Sequence, residues 1–437
     1  MTTPALRREL GRWDLTAIGI NQVVGSGIFL LPAAVAAQVG AWGPGVFIFV
    51  GLTCMLIGLC FAEVGSRFDS TGGPIVPARA AFGRFVGFEV GWMMWFTRVA
   101  SWASVMNGLA LALAFYWPSL AGGAPKAALF IGLTAVLSWI NIRGVRQGAW
   151  VVNVLTVAKL VPLVLFIVVG IWYISPGNFQ PWPEVTAPQF GQTALILIFA
   201  YGGFEVIGIP AGEASDPRRH VPFAMVATIT VVMVIYTMVS IVSTGTLPGL
   251  AESATPLADA AALALGAAGA LLISSGAAIS MTGNCAGQVI SSSRTIFALG
   301  ENGDLPAWFA RVHPVWRTPV NAIVFSSTVT LALALSGSFV LLAAVSAVAR
   351  LFIYATTCLA TLALRRPGRE ATVADATFVV AGGAIVPVIA LIVSLGILWG
   401  ATPDQLLRGA AAFIVGGLLF LVASRAESAR PPRAESR

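Results

Sequence analysis

About twelve stretches of this chain are long and apolar enough to cross a hydrocarbon core of roughly 30 Å. That feature excludes a water-soluble globule. Of the 437 residues 57% are hydrophobic and only 10% charged, mean hydropathy is +0.88, and no soluble domain needs that much apolar surface. The chain reads as an all-α integral membrane protein with twelve transmembrane helices. The expected spans are 14–37, 43–66, 85–115, 126–142, 150–172, 190–212, 222–247, 264–298, 319–337, 339–364, 376–398 and 403–424.

A net charge of +7 invites a nucleic-acid partner, but its placement points to the bilayer. With the N-terminus inside, twenty of the twenty-five Lys and Arg fall on the cytoplasmic side. Of the other five, Lys126 and Arg408 lie outside and Arg98, Lys159 and Arg350 lie within spans. That bias orients the chain with both termini cytoplasmic, as expected of a multi-pass protein of the cell's inner (plasma) membrane. The N-tail 1–13 is basic and lacks a cleavable signal pattern, so the first span is expected to be retained. The tail 425–437 is polar and basic. Cys54, Cys60, Cys285 and Cys358 all sit in apolar spans, which argues against a disulfide framework. The two histidines, His220 and His313, fall in loops. No metal cluster is visible, no cofactor is called for, and no span carries the clustered groups of a membrane-embedded enzyme. A permease-like sensor would bind without transport, but both tails are too short for a signalling domain.

Pro176 to Pro188, with Trp182 and Glu184, is proline-rich and forms the core of an external linker, 173–189. It separates five spans (14–172) from five more (190–364), with two additional C-terminal spans in 376–424. An odd number of spans per half inverts the second half relative to the first, which is the plan of many secondary transporters.

Each half carries a glycine-broken span at a matching place. Gly25-Ser26-Gly27 interrupts the first span and Tyr201-Gly202-Gly203 the sixth. Each lies roughly a dozen residues into its span, near mid-membrane at about 1.5 Å rise per residue. Unwound backbone is tolerated at that depth only where it lines a protein-enclosed cavity. Paired breaks of this kind point to a transporter's binding site. A helix N-terminus after a break offers N–H groups and a positive dipole end to a carboxylate. A C-terminal end before a break offers carbonyls to an ammonium. The amides around Ser26, Gly27 and Ile28, with the carbonyls of Phe199 and Ala200, could therefore grip a zwitterionic amino acid. The alternative is that these glycines only permit close helix packing.

Further motifs accompany the breaks. Gly25-Ser26-Gly27-Ile28-Phe29 is followed by Pro32, and Ala62-Glu63 by Gly72-Gly73-Pro74 and Ala81-Phe82-Gly83. Gly203-Phe204-Glu205 precedes Glu213, Pro217, Arg218 and Pro222. Ser292-Ser293-Arg294 precedes Phe297-Ala298, Gly303, Leu305-Pro306, His313-Pro314 and Thr318-Pro319. In this order and spacing the set resembles the amino acid–polyamine–organocation transporter superfamily over most of the first ten spans. Ile75-Val76-Pro77 departs from it, standing where an aromatic is common, so the re-entrant loop is expected to pack differently. The resemblance implies a LeuT-type 5+5 inverted repeat with helices 1 and 6 broken, and an amino acid or related amine as substrate. It places the carboxylate at Gly25, Ser26 and Gly27 and the ammonium at Phe199, Ala200 and Gly202. It also places side-chain recognition at Trp102 and Gln288.

Lys159 lies about ten residues into the fifth span, where a lysine costs roughly 2.5–3.5 kcal/mol to insert, so it is expected to have a function. The resemblance implies proton-coupled, sodium-independent transport, because such members carry a lysine here, its ammonium standing where sodium-coupled relatives bind an ion. The alternative is a fixed-charge strut on carbonyls of the first and eighth spans, which would also suit an exchanger. Glu205 is expected to pair with Arg98 or Arg350, as a buried pair that moves with the gate. Glu63 is expected to cap a loop network with Arg67 or Arg79. Arg218-Arg219 and Arg365-Arg366 read as topology determinants rather than lipid-binding patches. Neutral or small amino acids are the default substrate, with Arg98 leaving an acidic one conceivable. Protons are the expected co-substrate.

Overall fold

The computed structural model describes residues 10–69, 72–143, 149–366 and 373–428. The expected tails before residue 10 and after residue 428, and the topology charges Arg146 and Arg369, lie outside the described residues. Within them the chain is helical, and the single β contact is an isolated bridge between Leu10 and Ala214.

The first expected span forms two helices, α1 (Arg12–Val23) and α2 (Gly27–Val39). Then follow α3 (Gly43–Gly65), α4 (Ile75–Phe82), α5 (Arg84–Ala114), α6 (Gly123–Arg143) and α7 (Ala149–Gly170). The sixth expected span is α8 (Ala187–Tyr201) continued by a 3₁₀ segment, Phe204–Glu213. After it come α9 (Pro217–Thr246), α10 (Pro256–Glu301), α11 (Val320–Ser336), α12 (Phe339–Leu364), α13 (Ile385–Leu398) and α14 (Pro403–Ser428). Among the described residues eight helical stretches are long and apolar enough to cross a membrane, and α11 and α13 are shorter apolar helices. Large apolar side chains on α7, α13 and α14, such as Val168, Ile392 and Val422, face outward, as a lipid-facing surface requires.

Local chemistry sets several boundaries. Thr186 and Gln189 form a reciprocal capping box at the start of α8, and the hydroxyl of Ser338 accepts from the Leu341 amide to cap α12. Helix α10 begins eight residues before the expected span, because nearly three turns of helix precede a break at Gly266, whose backbone is not helical (φ 65°, ψ −158°). The motif Ile75-Val76-Pro77 opens a short helix, α4, with the proline in its first turn, where its missing N–H costs nothing.

Long-range packing pairs the halves. Helix α3 packs on α9, α5 on α10, α6 on α11, and α2 on α8, while α1 meets the 3₁₀ segment. The buried core is unusual in that two arginines, Arg98 and Arg350, rank with Trp102, Tyr201, Tyr236 and Tyr354 among its largest enclosed side chains. At the molecular face that carries the start of α1, polar contacts tie the loops together. Arg84 donates to Asp304 (2.7 Å), which also pairs with Arg79. Arg218 donates to the Ser66 carbonyl (2.9 Å). Glu63 departs from expectation here. It pairs with neither Arg67 nor Arg79 but accepts a two-pronged contact from Arg365 (2.6 and 2.5 Å) and the amide of Val380 (2.8 Å). The reason is helix packing: α3 lies against α12, which brings Arg365 to Glu63, while Asp304 draws Arg79 away.

Candidate substrate site at two crossed helix breaks

The two breaks touch each other. Gly203 has φ +132°, a conformation open to glycine, and a Cβ there would lie 2.7 Å from the Gln22 carbonyl oxygen. A Cβ on Gly27 would lie 2.8 Å from the Cα of Ala200. Close packing is thus one use of these glycines, and it brings backbone against backbone where both helices are unwound.

Helix α1 ends with its carbonyls fully used. The Ile20 oxygen takes the Val24 amide (2.8 Å). Lys159 Nζ donates to the oxygens of Asn21 (3.0 Å) and Val24 (2.9 Å). Asn284 Nδ2 donates to Gln22 (3.4 Å), Tyr236 Oη to Val23 (3.1 Å), and Ser280 Oγ to Val24 (3.3 Å). Side chains from α7, α9 and α10 therefore replace the missing turn of helix, and a lysine at the negative end of α1 suits the dipole. Of the two carbonyl groups considered for Lys159, it takes those of the first span; the tenth helix sends Ser280 instead.

Helix α2 begins in the opposite condition. Its first acceptor, the Ser26 oxygen, takes the amides of Phe29 and Leu30 (both 3.2 Å). The amides of Gly27 and Ile28 come before that point and have no helical acceptor. Beside them lies a cavity of ≈ 20 Å³, lined by Gln22, Gly25, Ser26, Gly27, Ser101, Phe199, Ala200, Gly202, Asn284, Gln288 and Arg350, with Val23 and Val105. This volume holds about one water, so the site is closed around its own groups. Several of those groups find no protein partner: Gln22 Oε1, Ser26 Oγ, Gln288 Oε1, and Nε and Nη1 of Arg350. Buried polar atoms are seldom left so, and here they belong to residues that line one cavity.

Most of the expected site residues meet at this cavity. Gly25, Ser26, Gly27, Phe199, Ala200, Gly202 and Gln288 line it, whereas Ile28 is buried beside them without lining it. Phe199 packs edge-on against Phe339, ring centres 6.0 Å apart. Trp102 is fully buried but off the cavity, because the face that α5 turns inward carries Ser101 and Val105. Arg98 and Arg350 both face Glu205, at 3.0 Å and 3.7 Å. Glu205 also accepts from the Gly203 amide (2.9 Å) and Tyr354 (3.2 Å). Sequence reasoning missed Gln22, Ser101, Asn284 and Tyr236. Asn284 carried a signal, since it stands one helical turn before Gln288 and receives its amide (3.4 Å).

A larger cavity of ≈ 640 Å³ opens beside this one, lined by residues of α4, α10 and the 3₁₀ segment, among them Arg79, Arg294 and Glu301. Gln22 lines both cavities, so the larger one is a vestibule that shares a wall with the site.

A multi-pass helical membrane protein with a small polar chamber between two unwound helices is built to pass a solute. The comparison with known proteins specifies the class. Residues 10–422 match the amino acid permease family model, and the chain belongs to that family, within the amino acid–polyamine–organocation superfamily. It is a membrane transporter and not an enzyme. It is 28% identical to the methylthioribose transporter of Bacillus subtilis (strain 168), over 97% of this chain and 95% of the relative. It is 31% identical to the serine/threonine exchanger SteT of the same organism, over 75% and 76% of the two chains. The branched-chain amino acid permease BcaP, also from that organism, is 28% identical over 77% and 76%.

Proposed function

We propose that this permease carries an amino acid across the cytoplasmic membrane by alternating access, with sodium-independent proton coupling through Lys159. The observation that carries the reading is that residues with unpartnered polar atoms line the cavity between the breaks. The free amides of Gly27 and Ile28 and the Ser26 hydroxyl suit a carboxylate. The carbonyl end of α8 at Phe199 and Ala200 suits an ammonium.

In this reading the twelve helices or helix pairs are twelve spans, with two inverted repeats in 14–172 and 190–364 and both termini cytoplasmic. The pairing of α3 with α9, α5 with α10 and α6 with α11 supports an inverted repeat. Spans 1, 2, 6 and 7 would move against spans 3, 4, 8 and 9. The vestibule then faces the cytoplasm and shares Gln22 with the site, so release would involve a shift of this side chain and the inner half of α1. Lys159 sits on α7 and holds the broken end of α1. A proton on the amine strengthens both bonds, and its loss weakens the hold of α7 on the moving helix. That is a route from protonation to gating.

Exchange is the second reading. It is favoured by the exchanger among the relatives and by the double carbonyl contact of Lys159, which equally suits a fixed charge. Uptake into proteoliposomes separates the two. An inward proton gradient without sodium should drive accumulation, and Lys159→Ala should remove the pH dependence while leaving folded protein. Strict sodium dependence would end the proton-coupled reading, and uptake that needs internal substrate whatever the gradient would select exchange.

A further inference from the structure

Two buried cations share one buried anion beside the cavity. Arg98, Arg350 and Glu205 are each 1% exposed. Glu205 is saturated: one oxygen takes Arg98 (3.0 Å), the other the Gly203 amide and the Tyr354 hydroxyl. Arg350 stands 3.7 Å from the first oxygen, beyond hydrogen-bond distance. Its Nε and Nη1 have no acceptor. The guanidinium lies over Gly202, leaving no room there for a side chain, and lines the cavity. No Asp or Glu lines that cavity. Formal charges of two guanidinium groups and one carboxylate leave a surplus of +1, next to the place where the proposed ammonium would bind. A surplus buried charge is costly until it is paired.

A neutral amino acid leaves that surplus unchanged, and a cationic one adds to it. An amino acid with a second carboxylate cancels it and brings an acceptor for a guanidinium donor that has none, a charge-assisted bond of the stronger kind. Building on the amino acid reading of this site, we infer that the substrate is an acidic amino acid, its side-chain carboxylate taken by Arg350 while the α-carboxylate goes to the amides of Gly27 and Ile28.

Binding to the purified, full-length protein tests this, with L-aspartate, L-glutamate, their amides L-asparagine and L-glutamine, the remaining amino acids, and succinate as ligands. The acids should raise the melting temperature and bind at least about tenfold more tightly than their amides, a difference of roughly 1.4 kcal/mol. Arg350→Gln should erase that preference. Arg350→Lys, which keeps the charge but not the guanidinium's several donors, should retain part of it and serves if the glutamine variant does not fold. Amides or other neutral amino acids binding as well as the acids would overturn the inference and leave the amino acid reading standing. So would an undiminished preference in folded Arg350→Gln, or chloride abolishing the preference by supplying the countercharge itself. Succinate binding with no amino acid bound would overturn both.

Discussion

Lys159 and Arg350 are both cations enclosed within the helix bundle, exposed by only 2% and 1%, yet their surroundings differ in kind. The ammonium has two carbonyl acceptors at 3.0 and 2.9 Å and completes the broken end of α1. The guanidinium has donors without acceptors and stands over the other break. One cation has its acceptors within the fold, and the other has donors without acceptors at a cavity. The contrast teaches that burial alone does not mark a ligand-binding charge; Arg98 also has Nε and Nη1 without acceptors, and what marks Arg350 is that its left-over donors belong to a residue lining the cavity.

The comparison breaks most visibly at Glu205. Glu205→Gln leaves two buried guanidinium groups facing each other and should cost about 3–5 kcal/mol, read as lost monodisperse protein in detergent and a depressed melting temperature. The double variant Glu205→Gln with Arg350→Gln removes the surplus and should recover part of the loss. On the other side of the comparison, Lys159→Met removes two charge-assisted bonds to α1, expected to cost about 1.5–3 kcal/mol in the same melt along with the pH dependence of uptake. Between them lies the crossing itself. Gly203→Ala asks a side chain to adopt φ +132° against the Gln22 carbonyl, a strain of about 1–3 kcal/mol, and should slow transport by forcing the two breaks apart. The smallest effect sharpens the account of α1. Tyr236→Phe removes a single donor to the Val23 oxygen and should cost about 1 kcal/mol with transport retained.

Much of this was legible in the sequence because its signals are local. Apolar runs, glycine pairs and a lysine among Leu155, Val157 and Leu160 state their own environment, and they led to α1, α2, α8 and the cavity between them. What was not legible depends on which helices meet. Glu63 finds Arg365 across 302 positions of sequence, and nothing near either residue announces the other. Ser101 rather than Trp102 reaches the cavity because of a rotation of α5 that only its packing on α10 and α12 fixes. Whether Glu205 had one partner or two could not be read from spacing, and the second arginine is what leaves a charge over. The 3₁₀ form of Phe204–Glu213 likewise follows from its contact with α1 and α9, not from composition.

The central claim is that an amino acid occupies the crossing of the two breaks on its way across the membrane. Counterflow of a labelled acidic amino acid into proteoliposomes preloaded with the same compound tests it most directly, comparing the parent protein with Ser26→Val, which fills the cavity at the start of α2. The account predicts transient accumulation of label in the parent and none in a Ser26→Val protein that is still folded. Equal counterflow in both would contradict it.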